Sequence, residues 1–303
     1  MNGKISNRAQ IASIQRYTIS EGSEKGLDVI DCNSGRLRFL INVSKACDIM
    51  QLYHDGENMS FVSKNGFTKR EIGFLNRFEG GMLYTCGLDS VGGREGYELH
   101  GTLHNTPARI TRAEVTDDEV VLEALIRNSA LFGKNLVLKR KIFSDIGGDT
   151  LNVEDTLVNE GYADEKYCLL YHVNVGYPML DAGAKIVADV ESYLPRTPWA
   201  KQNEATMYEI SDPVVCEEEC CYFLELNKPL LSLENKKNGK RFTLCYSKDT
   251  LPSFVEWKSM ASGDYALGLE PCTTKLDDYF EYRTIKPAEK IKFSLSISVN
   301  ELN

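Results

Sequence analysis

The amino-acid sequence predicts an all-β fold, one large antiparallel β-sandwich with a short N-terminal helix. Three observations predict this class. Apolar and polar residues alternate along the C-terminal segment with the period of a half-buried strand. Other short segments are rich in branched side chains and are separated by turn sequences. Strand and helix patterns do not alternate as they would around a parallel sheet, so antiparallel pairing is expected.

The elements follow in chain order. The first twenty residues, around NRAQIASIQRY, are the only part that suggests a helix. Residues 120–127 (VVLEALIR) and 136–143 (LVLKRKIF) predict strands. Turns are predicted at TDDE, SDIGGDT and KKNGK, which are residues 116–119, 144–150 and 236–240. The C-terminal KIKFSLSISV predicts a strand whose apolar face consists of Ile291, Phe293, Leu295, Ile297 and Val299.

The length and composition predict a single domain over residues 1–303. Hydrophobic residues make up 42% of the chain and charged residues 26%, which is ordinary for a protein with a substantial core. No linker, repeat or low-complexity segment divides the sequence.

The net charge and the cysteines limit the expected partners and location. The formal charge is -9, so nucleic acid and anionic membranes, which need a basic face, are not expected as partners. The N-terminal sequence has neither a signal-peptide h-region nor a transmembrane-length apolar run. Nine cysteines, an odd number without a C-x-x-C pair, indicate reduced thiols in a cytoplasmic protein. A small-molecule enzyme is favoured.

The common cofactor motifs are missing from the sequence. There is no G-x-G-x-x-G after a strand, no Walker loop and no G-x-S-x-G elbow. His100 and His104 have the H-x-x-x-H spacing that binds metal on a helix, but the surrounding Gly, Thr, Asn and Pro argue against a helix. In an extended segment the two imidazoles would lie roughly 13 Å apart, too far to share an ion. No metal and no cofactor are expected.

Two ionisable residues interrupt otherwise uncharged segments. His172 lies within LLYHVNVGYP, and Glu270 is the one charged residue between residues 265 and 274. Each has a structural interpretation: His172 as a core histidine bonded to a carbonyl, and Glu270 as a solvent-exposed strand end. Pro271 favours extended backbone at Glu270, which is consistent with a strand end.

Further polar residues at strand and loop positions are candidates for a site: Asn76, Arg77, Asp89, His100, Asn174, Glu256, Trp257 and Lys258. Asp89 lies in a glycine-bounded loop and either forms the turn or contacts a ligand. Trp257 either packs in the core or stacks on a sugar ring, with Glu256 or Lys258 bonding hydroxyl groups.

Four segments carry a family resemblance. YTCGLDSVG, LHGTLHNTPA, LLYHVNVGYP and ALGLEPCT, in that order, resemble the galactose mutarotase-like (aldose 1-epimerase) family, and in particular its less-characterised bacterial branch. The resemblance runs from about residue 50 to the C-terminus. It implies the family's large antiparallel β-sandwich, called a supersandwich, and isomerisation of a free sugar without a metal or cofactor, by a monomer or homodimer.

The resemblance also implies residue roles. His172 would donate a proton to the sugar ring oxygen, and Glu270 would take the proton of the anomeric hydroxyl. His100 would bind sugar hydroxyls, and the pair Asn76–Arg77 would supply an arginine contact to the substrate. The substrate-binding aspartate of the classical enzymes has no counterpart motif here, which leaves the identity of the sugar open.

The chemistry suits these two residue types. Unperturbed carboxyls titrate near 4.3 and imidazoles near 6.5, so a Glu270 base and a His172 acid would be the natural pairing. We expect both in one concave pocket, with functional atoms on the order of 5–8 Å apart. A non-catalytic sugar-binding or regulatory protein is the main alternative. A glycoside hydrolase or lyase is less favoured, because it would want two carboxylates flanking the bond.

Overall fold

A computed structural model describes residues 3–302 of the chain. Within these residues the strands form one five-stranded and one thirteen-stranded sheet, and every pairing between strands is antiparallel. The all-β prediction is confirmed. All nine cysteines lie in this part of the chain and none is in a disulfide. Across the same residues, no helix is both long enough and apolar enough to cross a membrane.

The smaller sheet is N-terminal and its strands pair in sequence order. The strands are β1 (Ser13–Thr18), β2 (Asp28–Asn33), β3 (Leu37–Asn42), β4 (Asp48–His54) and β5 (Glu57–Asn58).

The larger sheet contains the other strands: β6 (Leu83–Leu88), β7 (Ala108–Val115), β8 (Glu119–Ser129), β9 (Asn135–Asp145), β10 (Thr150–Asn159), β11 (Glu165–Val175), β12 (Lys185–Pro195), β13 (Cys220–Asn235), β14 (Lys240–Tyr246), β15 (Ser253–Ser259), β16 (Ala266–Cys272), β17 (Arg283–Ile285) and β18 (Lys290–Glu301). Its order is β17-β11-β16-β15-β13-β14-β18-β10-β9-β8-β7, with β6 paired to β11 and β12 paired to β13.

The predicted strands and turns are confirmed. Segments 120–127 and 136–143 lie within β8 and β9, and the three turn sequences join consecutive strands. In β18 the side chains of Phe293, Leu295, Ile297 and Val299 are buried, while Ile291 is partly buried against the core. The alternation in the sequence therefore corresponds to one face of the strand that packs in the core and one that is more exposed.

The predicted N-terminal helix is reduced to one 3-10 turn, Arg8–Gln10, and the rest of NRAQIASIQRY was predicted wrongly. Asn7 caps this turn by accepting a hydrogen bond from the amide of Ala9. From Ser13 onward the chain is β1, paired along its length with β2. A helix this short is marginal alone, and ladder bonds to β2 satisfy the same backbone groups within the fold.

The remaining helical structure consists of short segments in loops. The α-helix α1 (Pro198–Gln202) is followed by the 3-10 turn Glu204–Thr206, and two more 3-10 turns, Phe74–Asn76 and Asp277–Tyr279, lie in other loops.

Strand β11 lies between β6 and β16 in the larger sheet. Its residues from Tyr167 to Val175 are buried on both faces. This explains why LLYHVNVGYP is a continuous apolar run rather than an alternating one, and it leaves His172 in a position that solvent barely reaches.

Candidate active site

A cavity of about 810 Å³ lies over one face of the larger sheet. Its floor is formed by strands β11, β13, β15 and β16, and its walls are loops around residues 61–65, 74–78, 92–100 and 217–219. Five of its residues were predicted as site residues from the sequence: Asn76, His100, His172, Trp257 and Glu270.

The strand register brings His172 and Glu270 together. Val173 pairs with Leu269, and Leu170 pairs with Cys272, so His172 of β11 lies opposite Glu270 of β16. Residues opposite each other on neighbouring strands project from the same face. Two positions 98 residues apart in the sequence therefore become neighbours on the cavity floor.

The two functional groups are close but do not form an aligned hydrogen bond. Nε2 of His172 lies 3.1 Å from Oε1 of Glu270. Among residues 3–302, neither Oε1 of Glu270 nor Nδ1 of His172 has a hydrogen-bond partner. The expected separation of 5–8 Å was too large, because the facing positions on neighbouring strands bring the two side chains into direct contact.

Burial sets the protonation of this pair. Desolvation lowers the pKa of His172 well below 6.5, and the nearby His100 lowers it further. Desolvation also raises the pKa of Glu270 well above 4.5, against the opposing charge of Arg196. In the ligand-free protein the imidazole is therefore neutral and the carboxyl holds the proton. The sequence-based expectation was an ionised Glu270 and a charged His172. That ion pair and the neutral pair carry the same single proton, which lies on His172 in the first and on Glu270 in the second.

His100 lies beside this pair in a loop after β6. Its ring centroid is 5.7 Å from that of His172, and its Nδ1 accepts a 3.3 Å hydrogen bond from the amide of Gly92. Burial, together with the charge of Arg196, lowers the pKa of His100 to about 4. A neutral imidazole that accepts at Nδ1 carries its proton on Nε2, which makes that nitrogen a donor for a ligand oxygen.

Aromatic side chains form part of the walls. Trp257 lies with its ring centroid 5.5 Å from His172, and Phe78 is at the same distance. Phe74 stacks on Phe78 at 5.0 Å. Nε1 of Trp257 donates a 2.6 Å hydrogen bond to Glu219, which fixes the orientation of the indole. Aromatic walls next to a few polar groups are typical of a small-molecule site.

Gly268 provides the space between the side chains on the floor. It pairs with Trp257 on β15 and with Asn174 on β11. A Cβ at this position would lie 2.7 Å from Oε1 of Glu270 and 3.0 Å from Cε1 of His172. A side chain larger than that of glycine is therefore incompatible with the observed positions of this pair.

Two predicted ligand contacts lie outside the cavity lining and belong to its surrounding structure. Asp89 accepts hydrogen bonds from the amide and the hydroxyl of Thr102, 2.9 and 2.7 Å long. Of its two interpretations, these bonds favour the structural one, in which Asp89 orders the loop that carries His100. The guanidinium of Arg77 is nearly buried and pairs with Glu98 at 2.7 Å, next to the lining residue Asn76.

Three other candidates, Lys258, Glu256 and Asn174, are corrections because their side chains do not line the cavity. Nζ of Lys258 donates to the carbonyls of residues 206, 207 and 209, on the face opposite Trp257. Glu256 also faces away from the cavity, because successive side chains on a strand point to opposite faces and Trp257 points toward the cavity. The Glu256 side chain is fully buried. The side-chain amide of Asn174 is also fully buried and donates to the carbonyls of Gly81 and His172.

Several lining residues were missed by sequence reasoning. Arg196 lines the cavity and forms a bidentate pair with Asp277, with distances of 2.6 and 2.9 Å. Glu217 and Glu219 line it from the loop before β13. In the sequence, these two glutamates belong to the acidic cluster CEEECC, residues 216–221. For the described part of the chain, no group of three or more His, Cys, Asp or Glu could hold a metal ion.

Sequence comparison identifies the family. A family model described as "Domain of unknown function (DUF4432)" matches residues 24–299. The chain belongs to this family. The match includes every residue of the cavity lining, so the DUF4432 domain and the site coincide. None of the curated proteins matches the chain in sequence.

Solved structures of low sequence identity share the fold. A Klebsiella pneumoniae protein provisionally described as an aldose 1-epimerase is 21% identical, with a TM-score of 0.86 over 97% of this chain and 86% of that chain. A galactose mutarotase-like protein of Clostridium acetobutylicum is 16% identical, with a TM-score of 0.71 over 97% and 100%. A galactose 1-epimerase of Lactobacillus acidophilus is 12% identical, with a TM-score of 0.66 over 96% and 100%. This DUF4432 chain therefore has the predicted galactose mutarotase-like fold.

Proposed function

We propose that the protein is an aldose 1-epimerase that interconverts the α and β anomers of a free sugar. The observation that carries this proposal is the His172–Glu270 pair, which shares one face of the sheet and has unpartnered polar atoms on the floor of a cavity of about 810 Å³. The substrate is a small molecule, and we propose a cytoplasmic location on the basis of the cysteine content.

The reaction needs a base and an acid that exchange roles. Sugar binding first moves the Glu270 proton to Nε2 of His172, across the 3.1 Å that separates them. The Glu270 carboxylate then takes the proton of the C1 hydroxyl. A C1 carbonyl forms, the bond from C1 to the ring oxygen breaks, and the ring oxygen takes its electron pair and the His172 proton. Rotation about the C1–C2 bond and the reverse steps give the other anomer.

The site residues suit these steps for physical reasons. The anomeric and ring oxygens are bonded to the same carbon, so two catalytic atoms that lie close together can each reach one of them. Moving the proton from Glu270 to His172 leaves the net charge of the pair unchanged but creates two charges in a buried site, so hydrogen bonds from the bound sugar must stabilise the Glu270 carboxylate. Each positioned proton transfer is typically worth about 10²–10⁴-fold in rate.

The direct test is exchange between anomers, measured by saturation-transfer NMR or polarimetry on hexoses, pentoses, deoxy sugars, amino sugars and uronic acids. We expect at least one sugar to equilibrate faster than in buffer. Glu270→Gln keeps the shape of the side chain and removes the base, so kcat should fall by about 10²-fold or more with little change in affinity. His172→Asn should have a similar effect.

Glu256→Gln is the matched control, since it makes the same change in a buried carboxyl on the neighbouring strand that faces away from the cavity. It should retain turnover. If sugars bind but no sugar exchanges faster than in buffer, the non-catalytic sugar-binding alternative replaces this proposal.

A further inference from the structure

The cations that line the cavity are already paired. Arg196 forms its bidentate pair with Asp277, and Nζ of Lys64 lies 2.7 Å from a carboxylate oxygen of Asp264, another lining residue. His100 and His172 are neutral, because burial lowers the pKa of each. No lining cation among residues 3–302 is therefore left to neutralise an anionic ligand.

Two carboxylates of the lining, Glu217 and Glu219, have no ion-pair partner among the described residues. Within residues 3–302, neither has a Lys, Arg or His nitrogen within 4.0 Å. Oε2 of Glu217 is buried and has no hydrogen-bond partner among these residues. Glu219 accepts from Nε1 of Trp257 at 2.6 Å, which places its negative charge next to the aromatic wall. An unpartnered carboxylate oxygen is costly to bury unless a ligand donates to it.

Two other lining residues also indicate that the cavity binds a ligand. Glu270, with a side chain that is 2% exposed, directs an unpartnered oxygen into it, and His172, 6% exposed, has an unpartnered Nδ1. The acidic pair therefore borders a site that already has polar groups ready for a ligand.

We propose, building on the epimerase function above, that the cavity takes amino sugars in preference to anionic sugars, and that Glu217 and Glu219 receive the ammonium group. A phosphate or carboxylate substituent would face two carboxylates and no unpaired cation, which disfavours it electrostatically. An ammonium group carries three donors and forms charge-assisted hydrogen bonds with carboxylates. Hydroxyl groups can use the same acceptors more weakly, so an uncharged sugar ranks between the two classes.

The test compares the dissociation constants of galactose and glucose with those of their 2-amino, 6-amino, 6-phosphate and uronic acid derivatives, by ligand-observed NMR, at a pH at which the amines are protonated. We expect an amino derivative to bind at least about tenfold more tightly than the phosphate and the uronic acid. The difference should shrink in about 0.5 M salt, because ions screen exposed charges. Equal or tighter binding of the anionic derivatives would overturn the proposal.

The variant E217Q/E219Q removes both charges and keeps the acceptor for Trp257, so the preference for amino over anionic derivatives should largely disappear. E218Q is the matched control. It removes one charge from the same loop, and its side chain is not part of the cavity lining. An unchanged preference in E217Q/E219Q would also overturn the assignment.

Anomer exchange measured on the same samples separates the two proposals. Preferential binding of amino derivatives without exchange leaves the charge preference standing and contradicts the epimerase function. Exchange without a charge preference supports the epimerase function and contradicts the preference for amino sugars. If none of these sugars binds, the charge preference is wrong, and exchange on the wider panel of pentoses and deoxy sugars decides the epimerase function.

Discussion

At the scale of single residues, burial decides which partner holds the proton. A carboxyl and an imidazole in water would ionise to a carboxylate and an imidazolium, whereas in this cavity both are pushed toward their neutral forms. The pair holds one proton in either arrangement. Because both shifts favour the neutral pair, the ion-pair form that we propose as reactive has the higher free energy, and hydrogen bonds from a bound sugar to Glu270 would favour it.

The pH dependence of kcat/KM should show this arrangement. The active form of the free enzyme carries one proton on the pair, so the profile should be bell-shaped. Because the pKa of His172 is lowered, the acid limb marks protonation of its imidazole and lies well below pH 6.5. Because the pKa of Glu270 is raised, the alkaline limb marks loss of its proton and lies well above pH 4.5.

Variants with residual activity assign the two limbs. Glu270→Gln should lose the alkaline limb and keep the acid limb, and His172→Asn should do the reverse. If Glu270→Gln instead loses the acid limb, Glu270 is ionised in the free enzyme, as its unperturbed pKa would suggest.

How far the sequence predicts the site depends on the residue. His172 and Glu270 could be found because each interrupts an uncharged run, and Trp257 because it lies within a strand pattern. The same alternation could have excluded Glu256 and Lys258, which flank Trp257 and must face the other way. Arg196 and Glu219 could not be found, because both lie outside the regular strand patterns and reach the cavity only through the fold.

At the scale of elements, the site depends on the pairing of three neighbouring strands. β11, β16 and β15 place His172, Glu270 and Val255 in one row, with Asn174, Gly268 and Trp257 in the next. The sequence predicted a strand end at Glu270 without giving bounds for these strands, and their register comes from long-range pairing that one sequence does not reveal. The absent side chain at Gly268 is what lets the imidazole, the carboxyl and the indole converge.

Gly268→Ala should therefore impair the site without unfolding the sheet. Its Cβ would lie 2.7 Å from Oε1 of Glu270 and 3.1 Å from Cε3 of Trp257, so these side chains must move. Displacement of about 1 Å can cost about 10²-fold in rate, and we expect such a loss in kcat/KM. Gly73→Ala is the control, because a Cβ there meets nothing within 4 Å. Unchanged kcat/KM in Gly268→Ala would show that the observed packing of the pair is not needed.

At the scale of the whole molecule, buried charges join the two sheets. Arg140 of β9 donates to Asp48 of β4 at 2.5 Å and to Asp155 of β10 at 2.7 Å. The hydroxyl of Tyr171, next to His172 on β11, also donates to Asp155. Breaking a buried pair on one side typically costs about 3–5 kcal/mol. The strand that carries His172 is thus fixed from its far face.

His104 completes the charge balance of this region. Its Nδ1 lies 2.6 Å from Asp48 and its Nε2 lies 3.3 Å from Glu79, which also pairs with Lys45 at 2.8 Å. Burial by itself lowers the pKa of His104, but the two carboxylates outweigh burial and raise it above 6.5. With His104 protonated, Lys45, Arg140 and His104 match Glu79, Asp48 and Asp155 in charge.

The raised pKa of His104 predicts how stability depends on pH. A group with a raised pKa in the folded state stabilises fully below its unfolded pKa, about 6.5, and this contribution is lost as the pH rises through the folded pKa. Each unit of pKa difference corresponds to about 1.4 kcal/mol. Urea unfolding between pH 6 and 9 should therefore show a falling free energy of unfolding for the wild type. His104→Gln should be less stable at pH 6 and lose this part of the slope, whereas identical slopes would mean that His104 is neutral in the folded protein.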